Sequence, residues 1–126
     1  MAFVNALFHP MLAAAGATAA TASLHTGDPG TTGAAEVSGG DYERVPVTWG
    51  TPSNGRLQAD GEVVWLVPSL GSGEITHVGL WGAEGEWLGD AQVTVPQPFP
   101  TPGTATATSL VLDMTTGVMV ARVGAE

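Results

Sequence analysis

The feature that most constrains this chain is its punctuation after Leu24. Glycine, proline and Asn-Gly breaks recur at short intervals, and between them no helical period survives. Gly27–Gly33 and Ser38–Asp41 are dense in turn formers, and Asn54-Gly55 is a strong two-residue hairpin signal. The segments left between the breaks read as strands. Arg44–Trp49 alternates, Ile75–Trp81 and Glu86–Val95 follow, and Thr104–Leu112 and Val118–Val123 close the chain around a turn at Thr115-Thr116-Gly117. Val63–Val67 is a continuous apolar run, which predicts a strand buried on both faces. The run Pro96–Gly103 predicts a proline loop outside any central strand. Short strands at this spacing predict about six to eight strands in a sandwich, jelly-roll or small barrel.

Before this texture lies the only helical candidate, residues 2–20. Phe3, Leu7 and Met11 recur at helical spacing, flanked by Val4, Phe8 and Leu12, and the alanines that follow favour a helix. Pro10 either kinks that helix or sits in its first turn. A signal peptide would need basic residues before its apolar run, and here there are none, so the segment is read as part of the mature fold. The expected architecture is therefore a single all-β domain, sandwich or jelly-roll-like. An amino-terminal α-helix occupies 1–22 and the β-sandwich 23–126.

Charge narrows the function. The 126 residues carry a formal charge of −9 with only 3 basic side chains, all arginine, which cannot neutralise a run of phosphates or hold an anionic bilayer. No nucleic-acid or membrane partner is expected. The absence of cysteine removes disulfides, thiol catalysis and zinc–thiolate sites. Charged residues make up 12% of the chain against about 25% in an average domain. A surface so weakly charged suits a subunit whose faces are covered by copies of itself or by other proteins.

Catalytic signatures are weak. His9, His25 and His77 fall in separate contexts with no ligand spacing, and no Gly-x-Ser-x-Gly elbow is present. His77 is expected as a partly buried or outward-facing polar residue. Asp28, Glu36, Asp41 and Glu43 gather around a glycine-rich loop, the kind of oxygen-rich segment calcium uses, but no EF-hand or repeat pattern accompanies them. No cofactor and no metal site are expected. Among the tryptophans, Trp65 is expected in the core and Trp87, at a hairpin end, exposed. Several outward tryptophans together with Trp49 and Trp81 would make a sugar-stacking platform.

The segment from Ser23-Leu24-His25-Thr26 through Asp28-Pro29-Gly30 to Asp41-Tyr42-Glu43-Arg44, with Val47-Thr48-Trp49-Gly50 and Ile75–Trp81, resembles a family of small tailed-phage virion proteins. These are usually labelled tail-fibre or minor tail proteins and are widespread in phages of actinobacteria. The likeness runs from the amino-terminal segment to about Leu88. It implies a non-enzymatic structural component of the virion, made in the host cytoplasm and assembled by contact with other virion proteins. It transfers no catalytic residue. Phage appendages commonly use threefold symmetry, so a homotrimer is expected. The assembly residues expected are Phe3, Leu7, Phe8 and Met11 in the helix, His25, Asp28 and Tyr42 in the loop, and Trp87. Alternative readings are a head decoration protein and a carbohydrate-binding module for host-wall glycan.

Overall fold

A computed structural model describes residues 19–113 and 118–125. Among them there is no helix. The strands, in chain order, are β1 (Ala19–His25), β2 (Val45–Pro46), β3 (Arg56–Gln58), β4 (Val63–Val67), β5 (Glu74–Gly82), β6 (Trp87–Pro98), β7 (Gly103–Asp113) and β8 (Val118–Ala125). The all-β expectation and its strand count hold. The helix and its stripe of Phe3, Leu7, Phe8 and Met11 lie outside the described residues, but 19–22, assigned to that helix from sequence, open β1 instead. Alanine propensity is a weak prior, and burial overrides it here: Ala22 and Leu24 are fully buried between β2 and β5.

Hydrogen bonding joins all the strands into one sheet in the order β2-β1-β5-β6-β8-β7-β3, with β4 also on β7. The sandwich expected from strand spacing thus takes the form of a single sheet that curls. Strand β6 is the spine of the curl. It runs antiparallel to β5 and meets β8 in parallel at Val93–Ala121. The curl closes where the Trp65 indole N–H on β4 donates to the Ala22 carbonyl on β1 at 3.0 Å. Between these faces lies one apolar core that includes Leu24, Val63, Trp65, Val78, Leu80, Leu110 and Val123. Trp65 is a core residue, as expected, at 1% exposure.

Local chemistry explains several boundaries. Asn54 and Gly55 both take positive φ (52° and 76°), and Ser53 and Arg56 exchange backbone hydrogen bonds across them, forming the expected hairpin. Val63, Trp65 and Val67 point inward, whereas Val64 and Leu66 are 44% and 55% exposed, so β4 is buried on one face only. The continuous apolar run misled because nothing among the described residues covers the outer face of β4. Pro96 and Pro98, expected in a loop, lie at the end of β6, where Pro98 stands opposite Glu74. Strand β6 meets β8 at Val93, and among the described residues its edge beyond that point is unpaired, so a missing N–H there costs no ladder bond.

Candidate functional site

The outer face of the first sheet half is not left bare. Alternation on β5 sends Val78 and Leu80 into the core and His77, Gly79 and Trp81 to the opposite side. Cross-strand register sets His25 beside His77, Ser23 beside Gly79, and Asp90 on the other flank of Gly79. Residues 26–44 fold back over this surface. Val37 N–H donates to Leu24 O and Thr26 N–H to Ala35 O, so the returning chain lies along β1.

The loop is shaped by its own residues. The Asp28 Oδ1 carboxylate oxygen accepts the Gly30 N–H at 2.9 Å, and Pro29 O accepts from Gly33 and Ala34. Gly33, at φ 77°, rests on the indoles so closely that a Cβ there would sit 2.6 Å from Trp81 and 2.8 Å from Trp87. Trp81 and Trp87 meet edge to face at 4.9 Å, and Trp87 meets His25 at 5.5 Å. Trp87, expected exposed, is therefore half-buried beneath the loop; the hairpin end turns it inward onto this aromatic layer.

A buried chain of hydrogen bonds runs under the loop, and its direction follows from donor chemistry. The Trp81 indole can only donate, so Ser23 Oγ accepts it at 2.8 Å. The Ala34 carbonyl can only accept, so His25 donates to it from Nδ1 at 2.8 Å. Burial lowers the His25 pKa and holds the ring neutral, opposed by its bond to Ala34 O and by Glu36. Its Nε2 then carries a lone pair, which accepts the Ser23 hydroxyl at 2.7 Å. Ser23 and His25 have no exposed surface. A Ser–His pair can activate a nucleophile where the hydroxyl is reachable. Here its hydrogen and lone pair are both engaged beneath the loop, and the arrangement braces loop to strand.

A second latch closes the rim. Tyr42 Oη accepts the Leu24 N–H at 2.9 Å and donates to Glu36 Oε2 at 3.0 Å. Arg44 donates to the same carboxylate through Nε at 3.1 Å and a terminal nitrogen at 3.0 Å, and its guanidinium lies 3.6 Å over the Trp81 ring. Burial pushes the Tyr42 phenol well above its ordinary pKa. The Arg44 pKa is raised chiefly by the hydrogen bonds to Glu36.

Four expected site residues, His25, Asp28, Tyr42 and Trp87, thus converge on this clasp, with Tyr42 and His25 turned inward. Ser23, Glu36, Arg44 and Trp81 complete it; none was expected in this role, Glu36 being grouped with the acidic residues of a calcium-type loop and Trp81 with the tryptophans of a sugar platform. Register reveals Ser23 and Trp81, which become neighbours through the β1–β5 pairing, whereas Glu36 and Arg44 meet through the fold of the loop. The grouping of Asp28, Glu36, Asp41 and Glu43 does not form, since Glu36 is engaged by Tyr42 and Arg44. Instead, among the described residues, Asp28, His77 and Asp90 place potential ligand atoms within 4.8 Å of one another. The tryptophans do not share an outward platform: Trp65 and Trp81 are buried and Trp49 and Trp87 are half-buried.

Residues 2–115 match the family described as Podophage GP4 fiber I protein gp80, and the chain belongs to that family. It is thereby a phage fibre family member, with the virion as its place. No curated protein and no solved structure matches the chain.

Proposed function

We propose that this chain is a non-enzymatic structural component of a phage tail, a minor tail or fibre-associated subunit that assembles by protein–protein contact. The observation that carries the reading is membership of the fibre family across residues 2–115. The clasp supports it from below. A Ser–His pair sealed under a loop, and aromatic side chains spent on each other, describe a surface made rigid for presentation. His25, Tyr42 and Trp87 hold the loop's shape, and the loop presents its backbone and Asp28 to neighbouring virion proteins. Exposed Val64, Leu66 and Val95 add apolar surface of the kind such neighbours cover. Phe3, Leu7, Phe8 and Met11 are further assembly residues in this reading, and the subunit is a homotrimer synthesised in the host cytoplasm.

The test is a phage deleted for this gene, imaged by electron microscopy. The proposal expects filled heads on particles whose fibres are missing or detached. Particles with complete fibres would overturn it. Sedimentation of the purified chain checks the trimer, and a monomer at assembly concentrations would contradict that part.

A further inference from the structure

The clasp also brings together three side chains whose metal-binding capacity neither the fibre role nor the hydrogen-bond network exhausts. Asp28 comes from the loop, His77 from β5 and Asp90 from β6, and one ligand atom from each lies within 4.8 Å of the others. Among the described residues, no hydrogen bond or ion pair joins these side chains to one another. Asp28 spends Oδ1 on the Gly30 N–H, which leaves its second carboxylate oxygen. The carboxylate of Asp90 has no hydrogen-bonding partner among the described residues. Arg44, the cation nearest in the loop, is committed to Glu36. Two carboxylates held together without a cation repel, and an imidazole beside them completes a mixed oxygen–nitrogen donor set.

We infer that Asp28, His77 and Asp90 form a binding site for a borderline divalent transition-metal ion of the Zn²⁺ class, which ties the loop to β5 and β6. The spacing is near what an ion needs: bonds of about 2.0–2.2 Å at tetrahedral angles place ligand atoms about 3.3–3.6 Å apart, so a small inward movement of exposed Asp28 closes the site. The donor set selects the ion. Ca²⁺ requires a shell of about 6–8 oxygens and Mg²⁺ a largely hydrated octahedron, whereas an imidazole with two carboxylates suits Zn²⁺ and its neighbours, with water filling the remaining positions. Thr76 Oγ1, 2.8 Å from His77 Nδ1, supplies the outer hydroxyl contact that fixes the rotation of a ligand imidazole. This site does not rest on the fibre role, although both use Asp28.

The experiment is calorimetric titration of the purified full-length chain with Zn²⁺, with Ca²⁺ and Mg²⁺ titrated in parallel. Asp28→Asn keeps the oxygen that accepts the Gly30 N–H, and Asp90→Asn keeps the side-chain shape, so both variants are built to fold; near-ultraviolet circular dichroism checks that they do. The expected result is one saturable Zn²⁺ per chain, an affinity lower by at least about tenfold in each variant, and no comparable binding of Ca²⁺ or Mg²⁺. His9→Gln should leave the affinity unchanged. Mn²⁺, as a paramagnetic probe, should broaden the resonances of His77 and Asp90 before any others. Absence of Zn²⁺ binding, binding untouched by both Asp variants, or broadening centred elsewhere would each overturn the site.

Discussion

Replacing Ser23 with alanine removes one oxygen atom and tests the whole clasp. In the native protein that oxygen accepts the Trp81 indole N–H and donates to His25 Nε2, both within a fully buried setting. Ser23→Ala creates almost no cavity, so its cost is that of orphaned polar groups. Leaving a buried donor or acceptor unpaired costs about 1–3 kcal/mol, and two such groups give about 2–6 kcal/mol. Set against a typical total of about 5–15 kcal/mol, that is a large share. At roughly 3–5 °C per kcal/mol for a domain of this size, Tm should fall by about 6 °C or more. Urea denaturation of the purified chain provides the free energy. Ser69→Ala, which removes an exposed hydroxyl bonded to Pro100 O, is the control and should stay within about 0.5 kcal/mol of the parent. A double-mutant cycle sharpens the test: Trp81→Phe should cost less in the Ser23→Ala background, because the orphaned donor is gone, with a coupling of about 1 kcal/mol or more. A Ser23→Ala protein as stable as the parent, or a cycle with no coupling, would refute the assigned direction of the hydrogen bonds.

Further predictions follow the same network. His25 has a lowered pKa in the folded chain against about 6.5 when unfolded, so the unfolded state takes up a proton first. Stability should therefore fall as pH drops below about 6.5, by at most about 1.4 kcal/mol per pH unit, until the folded pKa is passed; His25→Gln should lose this component in urea titrations at stepped pH. Gly79→Ala would set a Cβ 2.5 Å from Trp87 and 2.7 Å from both His25 Nε2 and Ser23 Oγ. Denaturation should show a loss of about 1–3 kcal/mol or more, while Gly124→Ala, with open space around it, should change little. Tyr42→Phe leaves the Leu24 N–H without its acceptor and should cost about 1–3 kcal/mol. In that variant, amide exchange should rise at Leu24 ahead of the core strands.

Sequence made the strands legible wherever turn chemistry bounded them. Asn54-Gly55 located a hairpin because only residues tolerant of positive φ fit its turn. The same reasoning failed where tertiary placement decided the outcome. Ala19–Ala22 reads as helix by propensity, yet pairing with β2 and β5 and the burial of Ala22 make it strand. Val63–Val67 reads as buried on both sides, because an apolar run carries no information about which faces will find a cover. The loop residues His25, Asp28 and Tyr42 stood out through the motif that carries the family resemblance. Their pairing with Ser23, Trp81 and Asp90 was not legible, since strand register, which joins residues far apart in sequence, brings these together. Trp87 was misplaced for a related reason: position at a hairpin end suggests exposure, while the loop that covers it comes from 26–44.

The central claim, that this chain is a structural subunit of the phage tail, is tested most directly by locating it on the particle. Intact virions labelled with an antibody against the purified chain, viewed by electron microscopy, should carry label at the tail and its fibres. Label spread over the head, or no label on any particle, would contradict the account.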